Sequence, residues 1–289
     1  MTILVTGSTG AIGSRVVALL VAAGANVRAL ARTPEKATLP GAKIVKGDFD
    51  QPETLVRALD GVTSVFLVTP PHPDDFAMVE RFLDAAVKSP AKPRIVRLSA
   101  IKATEGGRSE SLRGHGRADR AILESGLPYA ILRPNYFMRN FFSSAESIQS
   151  NGRLINSMGD GRVGFIDTRD IADVATAVLL YRGWDRGIYD LTGPASMSLH
   201  DVARELSTAL GRKVTCMAVT PEQTREAVLQ QGAGEWFAGI IADYSVAYAK
   251  GWGDFTTSFV EKITGHAPRS VADFTREVFV PALRDGSTS

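Results

Sequence analysis

Gly7-Ser8-Thr9-Gly10-Ala11-Ile12-Gly13 decides how this chain is read. The segment follows the β-branched run Thr2–Thr6 and opens the helical stretch Ala11–Ala23, with Gly24 as its stop. Each glycine has a separate physical reason. Gly7 permits a tight turn, Gly10 lets backbone approach a diphosphate, and Gly13 lets the helix pack closely on the strand before it. The first turn of the helix offers unpaired N–H groups and a partial positive charge. Gly7, Thr9, Gly10, Ile12 and Gly13 are therefore expected to hold the diphosphate of a dinucleotide.

The pattern repeats outward from this turn. Val27–Ala31, Lys43–Lys46, Ser64–Val68, Arg94–Ser99 and Tyr129–Arg133 read as strands. Helices are expected over Pro52–Leu59, Asp75–Lys88 and Arg117–Ser125. Short apolar strands separated by helices indicate a parallel sheet covered on both faces. The expected fold is α/β, a Rossmann-type doubly wound parallel sheet with a smaller, mainly helical C-terminal substrate lobe. After Pro134 the pattern loosens. Helices are expected at Asp170–Tyr181, Ser198–Leu210, Pro221–Gln231, Glu235–Lys250 and Ser270–Val278, with a strand at Gly187–Leu191. This gives a nucleotide-binding domain over 1–150, to which 160–192 return, a lobe over 193–283, and a frayed tail over 284–289.

Arg32 stands at the end of the second strand, roughly 20 residues past the glycines. An acidic residue there would suit the ribose 2′-hydroxyl of NAD, whereas a guanidinium suits a 2′-phosphate. The expected cofactor is NADPH (NADP+). Asp48-Phe49 follows the third strand, where a carboxylate can meet the adenine amino group or simply form a turn. Val68-Thr69 ends the fourth strand, along the expected cofactor path.

The bulk properties exclude several classes of function. A net charge of +2 over 289 residues gives no reason to expect nucleic acid as partner. No segment has the roughly 20 apolar residues of a membrane span. Cys216 is the single cysteine, so an internal disulfide and a cysteine-cluster metal site are both excluded. His72, His115, His200 and His266 show no ligand spacing, and no metal site is expected. These features fit the cytoplasm, and a monomer or homodimer.

The glycine motif with Arg32, Gly47-Asp48-Phe49, Arg97-Leu98-Ser99-Ala100 and Ile131-Leu132-Arg133-Pro134-Asn135-Tyr136-Phe137 resembles the NmrA-like atypical short-chain dehydrogenase/reductases. Gly161-Arg162-Val163, Phe165 to Ala172, Tyr189 to Pro194 and Thr264 to Ser270 resemble the same family, so the likeness covers nearly the whole chain. It implies an NADPH-dependent oxidoreductase. Such an enzyme transfers hydride to a carbonyl or quinone of an apolar, aromatic small molecule. The family also includes non-catalytic NADP(H)-binding regulators, which is the alternative. Sugar-nucleotide epimerases share the fold but rely on a tyrosine and lysine pair. The resemblance also places Asn135 beside the nicotinamide.

Short-chain reductases commonly use a serine, a tyrosine and a lysine four residues after the tyrosine. Ser99 matches the serine position. The tyrosine position falls on His115 and the lysine position on Asp119. Three readings fit this departure. His115 is the general acid, oriented and raised in pKa by Asp119. Alternatively, water or the substrate supplies the proton while Ser99 polarises the carbonyl. In the third, the chemistry is absent. The glycine-rich stretch Glu105–Gly116 reads as a loop beside the site. Trp236 and Phe237 are candidates for the pocket mouth or for core.

Overall fold

The computed structural model describes residues 1–286. Strands and helices alternate through the first half: β1 (Thr2–Val5), α1 (Ala11–Ala22), β2 (Asn26–Ala31), β3 (Lys43–Lys46), α2 (Pro52–Leu59), β4 (Ser64–Leu67), α3 (Asp75–Lys88), β5 (Arg94–Leu98), α4 (Glu110–Glu124) and β6 (Tyr129–Pro134). Then come α5 (Ala145–Asn151), β7 (Arg153–Asn156), β8 (Arg162–Val163), α6 (Thr168–Leu180), β9 (Gly187–Leu191), β10 (Met197–Ser198), α7 (Leu199–Leu210) and β11 (Thr215–Ala218). The chain closes with α8 (Pro221–Gln230), α9 (Glu235–Ala249), α10 (Phe259–Thr264), α11 (Val271–Phe274) and α12 (Val280–Asp285).

The main sheet has the order β3-β2-β1-β4-β5-β6-β9. Every pairing from β3 to β6 is parallel. All four residues of β4 are buried, as a strand covered on both faces requires. Leu4, Val65, Ile95 and Ile131 from the strands pack with Leu55, Phe82 and Ile122 from the helices. The strand order reverses between β1 and β4, and such a switch point is where open α/β sheets bind ligands.

Two compact units form. The first comprises Met1–Pro134 and Ile171–Asp190, and the second Asn135–Asp170 together with Leu191 onward. Arg94 stitches the returning segment into the first unit. Its wholly buried guanidinium donates to the carbonyl of Val178 and pairs with Asp185.

The second unit contains two small sheets, β10-β8 antiparallel and β11-β7 parallel, beside its helices. Its core is aromatic: Phe165 meets Tyr136 and Phe141 edge-on, with ring centroids 5.6 and 5.2 Å apart. Ser198 and Asp201 form the capping box that opens α7. Phe237 is exposed and Trp236 half-buried. Of the tail expected to fray from Arg284, Arg284 and Asp285 end α12, and 287–289 lie outside the described residues.

One element differs from its sequence reading. The stretch Glu105–Gly116 is a loop only as far as Ser109, whose hydroxyl caps α4 by accepting from the N–H of Leu112. Gly114 and Gly116 gave the stretch a loop composition. Gly116 instead serves packing, since a Cβ there would lie 2.2 Å from the carbonyl carbon of Thr104. His115 consequently sits inside a helix and not at its mouth.

Candidate active site

The carboxyl ends of β1 to β5 bring the candidate residues to one edge of the sheet. Gly7 follows β1 and adopts φ +57°, a left-handed conformation that a side chain would strain. Ser8 is buried and donates to the carbonyl of Leu30 at 2.8 Å, fastening the turn to β2. Thr6 does the same toward β4, donating to Val68 O at 2.8 Å and accepting from Val68 N at 2.7 Å. With Ser8 and Thr6 turned inward, Gly7, Thr9 and Gly10 remain exposed, whereas Ile12 and Gly13 are buried.

A Cβ on Gly13 would lie 2.1 Å from the carbonyl oxygen of Gly7, so helix and turn touch there. A Cβ on Gly10 would meet only that same oxygen, at 3.3 Å, leaving its outer side open. The first turn of α1 has neither a side-chain cap nor an acidic residue. These N–H groups thus keep their capacity to bind an anion. The turn fits a diphosphate.

Arg32 follows β2 directly. It is exposed and paired with no carboxylate among the described residues. Asp48 follows β3, and its Oδ1 accepts from the N–H of Asp50 at 3.0 Å, which is the turn-forming use of the side chain. Phe49 packs into the core against Phe82. Asn135 belongs to the second unit, where it is buried. Its amide donates to Gly253 O and accepts from Tyr136 N and the Tyr248 hydroxyl.

Beyond β4 and β5 lies a buried network of charges. The hydroxyl of Ser99 donates to Asp119 Oδ2 at 2.9 Å. Arg133 reaches the same oxygen from Nε at 2.9 Å and from a terminal nitrogen at 2.8 Å. Arg97 lies 3.3 Å from Asp119 Oδ1 and 3.2 Å from Asp75 Oδ2. Thr69 donates its hydroxyl proton to Asp75 Oδ1. His115 Nδ1 faces Arg97 at 3.1 Å. Two guanidiniums balance two carboxylates, which is how charge is tolerated out of water.

Asp119 exerts the upward pull on His115 that its position in the sequence suggests. It is outweighed: burial first, then the positive charge of Arg97, lower the imidazole pKa to about 4. At neutral pH the ring is neutral, and Nδ1 accepts from Arg97. Sequence reasoning left Asp75, Arg97 and Arg133 out of the site. The available signal was Arg97 itself, a charge inside an apolar strand.

Comparison with known proteins gives the chain's family. A protein family described as NAD(P)H-binding matches residues 7–181. The chain is 35% identical over 280 residues to an NAD(P)H azoreductase of Xenophilus azovorans, covering 95% of this chain and 96% of that one. It is 36% identical over 245 residues to a (4-alkanoyl-5-oxo-2,5-dihydrofuran-3-yl)methyl phosphate reductase of Streptomyces griseus, covering 79% and 85%. Among solved structures it is similar to an NADPH-dependent quinone oxidoreductase of Escherichia coli. There the TM-score is 0.85 and the identity 25%, covering 96% of this chain and 99% of the other.

Proposed function

Because the chain belongs to the NAD(P)H-binding, NmrA-like family of atypical short-chain dehydrogenase/reductases, we propose that it reduces quinones and related conjugated aromatic compounds with NADPH. It is an NAD(P)H-dependent oxidoreductase. Preference for NADPH rests on Arg32, whose free guanidinium follows β2 where the adenosine ribose of a bound dinucleotide is expected. The turn at Gly7 to Gly13 would hold the diphosphate. When bound there, the nicotinamide supplies a hydride.

The observation that carries the substrate class is the engaged state of the two candidate acids. The Ser99 proton is committed to Asp119, and His115 is neutral. Neither is poised to protonate an oxygen as hydride arrives, so the proton comes from water or from the substrate itself. This handicap depends on the acceptor. Hydride addition to a quinone leaves a phenolate, whose conjugate acid has a pKa of about 10, as for tyrosine. An isolated ketone leaves an alkoxide, nearer the roughly 15.7 of water. A site without an acid therefore favours the quinone. Relatives with reductase names, similar over most of the chain, support catalysis over the regulatory alternative.

The test is steady-state oxidation of NADPH with 1,4-naphthoquinone, an azo dye and acetophenone. The reading expects turnover of the quinone with kcat/KM at least 100-fold above that of the ketone. Tight NADPH binding with no turnover of any of the three would instead favour the regulator.

A further inference from the structure

Thr69 and Ser99 lie just past the ends of adjacent strands. Leu67 of β4 is paired in register with Arg97 of β5, and each hydroxyl residue follows two positions later in the chain. Each hydroxyl spends its single proton on a carboxylate: Thr69 on Asp75, Ser99 on Asp119. Neither carboxylate is free to turn away. Asp119 is gripped by Arg133 and Arg97, and Asp75 by Arg97, whose guanidinium is wholly buried. A hydroxyl whose proton is held in this way offers only lone pairs to anything else that meets it. The arrangement is a chain, Thr69–Asp75–Arg97–Asp119–Ser99, with the same polarity at both ends.

We propose that Asp75 and Asp119 are positioning residues that fix Thr69 and Ser99 as a pair of hydrogen-bond acceptors, so that the site at the ends of β4 and β5 recognises an N–H or O–H donor on the bound ligand. This reverses the role that the family resemblance gives Ser99, which was to donate to a carbonyl oxygen. It rests on the reading that the carboxyl edge of the sheet is the NADPH and substrate site. Two ligand groups carry the required donor: the carboxamide N–H of the nicotinamide, and a hydroxyl on the aromatic substrate.

Two matched pairs of probes separate these sources. The first is NADP+ against its 3-acetylpyridine analogue, which lacks the carboxamide N–H, with binding measured by calorimetry. The second is 6-hydroxy-1,4-naphthoquinone against 1,4-naphthoquinone, with kcat/KM measured under saturating NADPH. Wild-type protein is expected to prefer the donor-bearing member of one pair by about 3- to 10-fold, the worth of one hydrogen bond. Ser99→Ala or Thr69→Val should reduce that preference to near unity, and Ser99→Thr should restore it. The pair that responds identifies the donor.

These substitutions leave every charge of the network in place, and because each readout is a ratio between two ligands on the same folded variant, a loss of stability does not by itself change it. A purely structural serine would lower both members of a pair equally. Unchanged preferences in both pairs overturn the proposal. So does an equal fall in kcat for both quinones with the preference between them kept, as expected of a serine that donates to the carbonyl the two share. Failure of wild-type protein to bind either nucleotide would instead overturn the assignment of the site.

Discussion

The Nδ1 atom of His115 lies 3.1 Å from a terminal nitrogen of Arg97, and the two groups cannot comfortably both carry charge. This contact and burial hold the imidazole pKa at about 4 in the folded chain, against an ordinary histidine value of 6.5. The unfolded chain therefore takes up this proton first as pH falls. The stability due to the neutral imidazole is complete above pH 6.5, and it is lost progressively as pH falls through 6.5 toward 4. The loss approaches about 3 kcal/mol, at roughly 1.4 kcal/mol per pH unit. His115→Gln keeps an acceptor for Arg97 and removes the titration. Urea denaturation at about pH 7 and about pH 4.5 should show a smaller loss for the variant than for wild type. The NADPH–quinone rate at neutral pH should stay within about threefold. A collapse of that rate would restore His115 as the acid.

The two inner glycines of the turn separate folding from binding. Gly13→Ala places a methyl 2.1 Å from the carbonyl oxygen of Gly7, a clash with backbone that no side-chain rotation relieves. A loss of about 3 kcal/mol or more is expected, seen as a lowered melting temperature. Gly10→Ala brings a methyl to 3.3 Å from the same oxygen, a tight contact that a shift of a few tenths of an ångström relieves, so its loss of stability should be much smaller than that of Gly13→Ala. The methyl would stand on the open side, where a diphosphate approaches, and NADPH affinity by calorimetry should fall more than about 10-fold. Equal NADPH binding by Gly10→Ala and wild type would remove the turn from the cofactor site.

On the proposed reading, Arg32 sets the choice between the two nicotinamide dinucleotides. Charge-assisted hydrogen bonds to a phosphate contribute about 1.5–3 kcal/mol, or roughly 10- to 150-fold in affinity. Arg32→Ala should weaken NADPH by that factor and leave NADH within about twofold. Equal weakening of both would refute the assignment.

The charge network should behave as a unit. Asp119→Asn leaves the wholly buried Arg97 and the mostly buried Arg133 without their shared carboxylate. Breaking a buried pair in this way costs about 3–5 kcal/mol. Adding Arg133→Gln removes one of the uncompensated charges, so the double variant should be more stable than the sum of the two single losses predicts. Additive losses in urea denaturation would show that the groups act independently.

The amino-acid sequence determined the sheet and the glycine turn. Both are written in short-range signals: short apolar strands, helix stops, and glycines spaced so that Gly7 turns left-handed while Gly13 touches its carbonyl. It also matched Ser99 to the family's serine and marked His115 and Asp119 as a departure from the family's tyrosine and lysine. Their electrostatics emerged only in the folded chain. Asp75, Arg97, Asp119 and Arg133 are far apart along the chain, and the parallel crossovers bring them together. The start of α4 was hidden for a related reason, since Gly116 answers to contact with the backbone of Thr104 and not to local helix propensity. Propensity and periodicity act over a few residues. The pKa of a buried group is set by whichever charges the fold carries to it.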